Sequence, residues 1–242
     1  MNPIFILGTG RSGTVTIANI FSSIYNAIAF HEGGLIRDKN RKDTFPPLTG
    51  IENRKVQDGN LSVALEQIKS RVDFIKNLDE DKIYVESNNF IWPYIPALKQ
   101  EFPDLKIIHL IRDPYKCIRS LFGWPTVYAD SGYEDYHYAL ARKEFPETWP
   151  RLKKICNFWI YVNEEINKLE PTIQVKLEDL DTKKINEILN LLNIESEYQE
   201  SEVGRHNASK ANRLEMMDII EAVNKYIPDN IFEKFGYERV YE

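Results

Sequence analysis

A chain of 242 residues with 43% apolar and 28% charged side chains can bury one sizeable core, and its formal net charge of −6 at pH 7 argues against a nucleic acid or another extended polyanion as partner. Two cysteines, Cys117 and Cys156, are too few for a disulfide framework or a thiolate metal cage and suit a reducing interior. The chain opens directly on a strand pattern without a secretory leader, and no apolar run is long enough to span a membrane, so the expectation is a cytoplasmic protein.

Short apolar runs alternate with helix-length segments. Residues 3–7 predict a strand and residues 13–25 the helix after it. Residues 27–31 form a second strand, and the polar stretch 32–60, rich in glycine, proline and charge, is a long loop or lid. Residues 61–76 place Leu61, Ala64, Leu65, Ile68 and Val72 at helical spacing. A third strand covers 83–85, a proline-interrupted helix 91–101, and a fourth, mostly apolar strand 105–111. Pro114 opens a helix over 114–122, proline being suited to a first turn. A long amphipathic helix follows at 149–169, a fifth strand at 172–175, a helix at 182–192, a polar loop at 203–213 and a last helix at 214–226.

Near-continuous apolar strands separated by helices define a three-layer α/β fold, with a central, mostly parallel sheet of about five strands flanked by helices. Neither a repeat nor a linker interrupts the chain, so residues 1–242 are expected to form a single domain.

The segment Gly8 to Thr16, GTGRSGTVT, joins the first strand to the first helix. Gly8, Gly10 and Gly13 allow a sharp turn that brings backbone N–H groups to an anion, and the helix adds the positive end of its dipole. Thr14 and Thr16 add hydroxyl donors. The loop meets the triphosphate fingerprint at Gly8 and Gly13, but Thr14 stands where that fingerprint requires lysine. A kinase or ATPase is therefore disfavoured, because no ammonium reaches the β- and γ-phosphates and no Lys-Ser/Thr pair serves Mg²⁺.

Arg11-Ser12-Gly13-Thr14 resembles the 5′-phosphosulfate loop of sulfotransferases that use 3′-phosphoadenosine 5′-phosphosulfate (PAPS). That family's loop takes the form [KR]-[ST]-G-T. The second signature of the family is similar to IIHLIRDPYKCIRSL, residues 107–121: a strand ending in arginine, here Arg112, with a serine eight residues on, here Ser120. An arginine at the carboxyl end of a parallel strand faces the ligand crevice and can grip a phosphate with both arms.

The resemblance extends further with less specificity. Residues 84–92 (YVESNNFIW) depart from the family's run there, where lysine and proline are common. KLEDL, 176–180, looks like a structural stretch of the family. RHNASKAN, 205–212, looks like its late nucleotide-covering loop and implies Arg205, Asn207 and Ser209 as binding residues.

The implied fold is the P-loop-like sulfotransferase fold. The implied reaction moves a sulfuryl group from PAPS to a hydroxyl or amine of an acceptor, a carbohydrate or small molecule. Gly10, Arg11, Ser12, Gly13, Thr14, Thr16, Arg112 and Ser120 would bind the donor. Arg11 would stabilise the leaving group electrostatically, since a guanidinium does not donate its proton at neutral pH.

A hydroxyl acceptor also needs a base. Glu32 and then His31, in FHEGG at the end of the second strand, are the candidates, with Glu86 in reserve. His109 lies inside an apolar strand and reads as a core residue, and Asp113 as an orienting residue or helix cap. Four histidines spread singly imply no metal site. The alternatives are a nucleotide or small-molecule kinase on a modified loop, and a catalytically silent nucleotide-binding protein of the same fold.

Overall fold

The structure, a computed structural model, describes residues 2–36, 44–46, 48, 56, 59–124, 127–128, 145–199 and 216–241. Strands β1 (Ile4–Leu7), β2 (Ala27–His31), β3 (Gly34–Leu35), β4 (Ile83–Ser87), β5 (Lys106–Ile111) and β6 (Ile173–Lys176) form one sheet in the order β3-β2-β4-β1-β5-β6. All pairs are parallel except β2 with β3. The described helices are α1 (Thr14–Ser22), α2 (Leu61–Lys76), α3 (Ile95–Glu101), α4 (Pro114–Phe122), α5 (Arg151–Lys168), α6 (Thr182–Leu191), α7 (Met216–Tyr226) and α8 (Asp229–Phe235).

The period-two alternation of the strands splits the core into two layers. Ile4 and Ile6 pack with Ile17, Phe21 and Ile188 of α1 and α6 on one face. Phe5 and Leu7 pack on the other face with residues of α2 to α5, α7 and α8. The result is the three-layer α/β arrangement, with β1 central between β4 and β5.

The chain leaves β1 toward β2 on one side and later fills β5 and β6 on the other. The carboxyl ends of β1 and β5 therefore flank a topological switch point, where open parallel sheets hold their ligands.

Helix ends explain several boundaries. Asn60, Asp113 and Asp181 accept from Val63, Lys116 and Lys184 N–H and so cap α2, α4 and α6. The described structure departs from the sequence expectation in two places. Gly34–Leu35 is a sixth strand inside the stretch read as loop or lid, too short to carry a period. Helix α8 follows the predicted last helix after Pro228, and a segment of 7 residues shows too few turns for a clear stripe.

His109 on β5 is fully buried, and its Nε2–H donates to Asn163 Oδ1 at 3.0 Å, because Asn163 Nδ2 is committed to the Trp159 carbonyl. Burial pushes its pKa down to about 4, against the opposing effect of the Asn163 bond, so the imidazole is neutral. The folded value lies below the unfolded one, so this contribution to stability is complete above about pH 6.5 and is lost as pH falls toward 4. Urea unfolding at pH 7.5 and 4.5 should show His109→Gln losing roughly 2–3 kcal/mol less stability on acidification than the parent chain.

Candidate functional site

The loop after β1 is shaped by two glycines. A Cβ on Gly8 would meet the Leu110 carbonyl of β5 at 2.5 Å, so glycine permits the close approach of β1 to β5 at the crevice floor. Gly13 has φ +96° and lies against Leu177, whose side chain a Cβ would meet at 2.5 Å. Arg11 between them also takes a left-handed conformation, φ +69°.

Gly13 is the N-cap of α1 and brings no side chain to cap it, and the first turn of the helix holds no acidic residue. The leading amides and the positive dipole end are thus directed into the loop.

The loop is tied to the second signature by direct contacts. Arg112 Nη1 donates to the Arg11 carbonyl at 2.8 Å, and Arg11 Nε donates to Ser120 Oγ at 3.0 Å. The Arg11 guanidinium also lies 5.4 Å from the centre of the Trp124 ring. Beneath the loop, Cys117 Sγ is 3.4 Å from Thr9 Oγ1 and 3.5 Å from the Gly10 carbonyl. Burial pushes the Cys117 thiol up to about 11, which keeps its S–H as a weak donor.

KLEDL buttresses both segments: Leu177 packs under Gly13, and Glu178 accepts from the Asp113 N–H and the Tyr237 hydroxyl. Asp113 caps α4 through Lys116 N–H, one of the two roles the sequence allows it.

The predicted donor-site residues do not all present side chains alike. Ser12 Oγ is buried, lies 2.5 Å from the position of a Gly8 Cβ, and has no hydrogen-bond partner among the described residues. Its hydroxyl faces the base of the loop. Thr14 is buried at the first position of α1, and Thr16 is half-buried two positions on. Arg205, Asn207 and Ser209 lie outside the described residues.

His31 and Glu32 sit at the carboxyl end of β2. They are two strand spacings from β1, about 10 Å for a sheet spaced near 4.8 Å. His31 Nδ1 is 3.1 Å from the Ser87 carbonyl, and since a carbonyl only accepts, Nδ1 carries the proton. Its Nε2 faces Glu32 Oε1 at 3.9 Å. Glu32 has φ +50°, donates its N–H to the same Ser87 carbonyl, and accepts from Asn89 Nδ2 at 2.9 Å.

Glu86 has a different position from the one its reserve role requires. It is fully buried and accepts from Arg71 Nε and Nη2, from the Tyr84 hydroxyl at 2.6 Å and from Asn88 Nδ2 at 2.9 Å. Burial pushes its carboxyl up, but the Arg71 charge and these bonds outweigh that and hold it below the usual carboxylate range. With both oxygens occupied, Glu86 is withdrawn as a base.

Asn89 and Arg71 were not foreseen as site residues. Arg71 had a signal, because it follows Ala64 and Ile68 at helical spacing and precedes Ile75 on one buried stripe. An arginine there must have a buried partner. Asn89 carried no such signal in the sequence.

A family model described as "Sulfotransferase family" matches residues 3–155. No curated protein matches the chain. A sulfotransferase from Alicyclobacillus acidocaldarius superposes with a TM-score of 0.54 at 12% identity, covering 98% of this chain and 97% of that one. A sulfotransferase from Mycobacterium tuberculosis H37Rv superposes with a TM-score of 0.44 at 12% identity, covering 93% and 76%.

The fold places a glycine-rich loop at the switch point of a parallel sheet, and the family match makes the protein a transferase. The chain belongs to the sulfotransferase family. Among the described residues, no helix is long and apolar enough to cross a membrane, and no group of three or more His, Cys, Asp or Glu side chains is arranged to hold a metal.

The Gly8 contact is with backbone and cannot be relieved by a rotamer change. Gly8→Ala should cost about 1–3 kcal/mol of unfolding free energy in urea titration, with an unchanged m-value.

Proposed function

We propose that the chain transfers a sulfuryl group from PAPS to a hydroxyl or amine of a carbohydrate or small-molecule acceptor. The observation that carries this reading is the convergence of the two signatures, through Arg112 on the Arg11 carbonyl and Arg11 on Ser120. Two cationic side chains, an uncapped helix start and a glycine loop meet at one point, and a ligand with phosphates at both its 3′ and 5′ ends fits that charge.

In this reading Arg112 and Ser120 hold the 3′-phosphate. Ser120 accepts from Arg11 and keeps its own hydroxyl proton to donate. Gly10, Ser12, Gly13, Thr14 and Thr16 surround the 5′ end mainly through backbone amides and the Thr16 hydroxyl; Arg205, Asn207 and Ser209 would complete the nucleotide site.

The acceptor oxygen attacks sulfur as the bond from sulfur to the bridging phosphate oxygen breaks. The departing electron pair stays on that oxygen, against Arg11. The acceptor proton goes to Glu32, or to Nε2 of His31, whose Nδ1–H is already committed to Ser87. The chemistry needs no metal.

A thermal-shift titration with adenosine 3′,5′-bisphosphate, beside ADP and ATP with and without Mg²⁺, tests the donor assignment. Stabilisation by the bisphosphate alone, without metal and by roughly 2.7 kcal/mol at a hundred times its Kd, is expected. Preference for ATP with Mg²⁺ would instead make the loop a modified triphosphate cradle.

Arg112→Ala should weaken bisphosphate binding by ~2–4 kcal/mol in calorimetry. Arg11→Ala should abolish turnover yet largely spare that binding; equal loss of both would remove the leaving-group role. With an acceptor found by screening sugars, phenols and amines against labelled PAPS, Glu32→Gln should lower kcat by roughly 10²–10⁴-fold. Full turnover in both Glu32→Gln and His31→Ala would assign the base elsewhere, whereas bisphosphate binding without turnover in the parent chain would match a catalytically silent protein of the same fold.

A further inference from the structure

The Arg71–Glu86 pair is the fully buried ion pair of the described residues, with both side chains at 0% exposure. Such pairs rarely stabilise a fold more than well-packed apolar residues of the same volume, because desolvation offsets most of the Coulomb attraction. Their directional contacts are the more informative feature. Here those contacts run to the carboxyl edge of the sheet from both partners.

From Glu86, Oε1 holds Asn88 Nδ2, and Asn88 Oδ1 in turn accepts from Phe90 N–H at 2.8 Å. This fixes the turn that carries Asn89, whose amide holds Glu32. From Arg71, Nη1 donates to the Pro46 carbonyl at 3.2 Å, and the guanidinium lies 5.1 Å from the centre of the Phe45 ring. Phe45 N–H and Thr44 N–H both donate to the Gly33 carbonyl. A Cβ on Gly33 would stand 3.0 Å from Arg71 Nη2. The pair therefore reaches Glu32 from both sides: through Asn88 and Asn89 at its carboxylate, and through Gly33 at its backbone.

We infer that Arg71 and Glu86 are positioning residues for the Glu32 turn, setting the left-handed backbone and carboxylate direction that face the acceptor. The catalytic use of that turn rests on the reading of Glu32 or His31 as base. The positioning itself is measured without turnover.

The test is Arg71→Met/Glu86→Gln, a neutral pair of similar volume, in the full chain. Hydrogen exchange of the Glu32 amide, which donates to Ser87, reports the turn directly. At least tenfold faster exchange there is expected, with unchanged exchange in β1 and β5 and bisphosphate affinity within twofold of the parent. The donor KM should hold while kcat falls.

Parental exchange at Glu32 overturns the inference. So does equal acceleration in β1 and β5, which would mark a role in global stability only. If the double variant is not recovered folded, Arg71→Lys, which keeps the charge but not the fork, carries the same test. Loss of turnover in Glu32→Gln decides the base reading separately, so the two can fail independently.

Discussion

One hydrogen bond, from Arg112 Nη1 to the Arg11 carbonyl, makes a single site from two distant stretches of chain. It requires that β1 and β5 lie side by side and end at the same level, which the parallel register from Ile4 with Lys106 to Leu7 with His109 provides. It also requires that the strands approach closely where they end, hence Gly8 against the Leu110 carbonyl. Arg112 is thereby held against the backbone of the loop that carries Arg11.

The other half of the crevice is built on an opposite principle. Around β2 and β4 the dominant charge is a carboxylate, and it is neutralised in place by Arg71. Tyr84 and Asn88 use up its remaining acceptor capacity, so Glu86 does not compete for a proton or an incoming cation. Glu32, at 38% side-chain exposure, is a carboxylate at the edge, and among the described residues a neutral amide, Asn89, donates to it. The proposed reaction would use this division, with an anionic donor on one side and a proton-accepting group on the other.

Much of this was legible in the sequence, and the reason is local geometry. The positions of the glycine loop, Arg112 and Ser120 are recognisable because each lies at the end of a strand or in the first turns of a helix, and the structure brings them into contact. Contacts between elements far apart in sequence were not legible. Leu177 under Gly13, Cys117 beneath the loop and Asn89 on Glu32 depend on how layers stack, which periodicity does not encode. Arg71 is intermediate: its place on the buried stripe of α2 was readable, but its partner was not. Glu86 departs from the sequence expectation because a place near the end of a strand does not fix where the side chain points, and here it points into the layer beneath α2.

The choice of arginine at position 11 follows from the same arrangement. Its Nε is occupied by Ser120 and its planar group lies near Trp124, so the guanidinium is held by both its hydrogen-bonding edge and its face. A lysine ammonium has three donors, but they rotate on a flexible stem and offer neither a fixed fork nor a plane to share in this way. The serine that would contact the 3′-phosphate is thus the same group that orients the arginine proposed to serve the 5′ end. Under the proposed assignment, one hydroxyl would link the occupation of one end of the donor site to the geometry of the other.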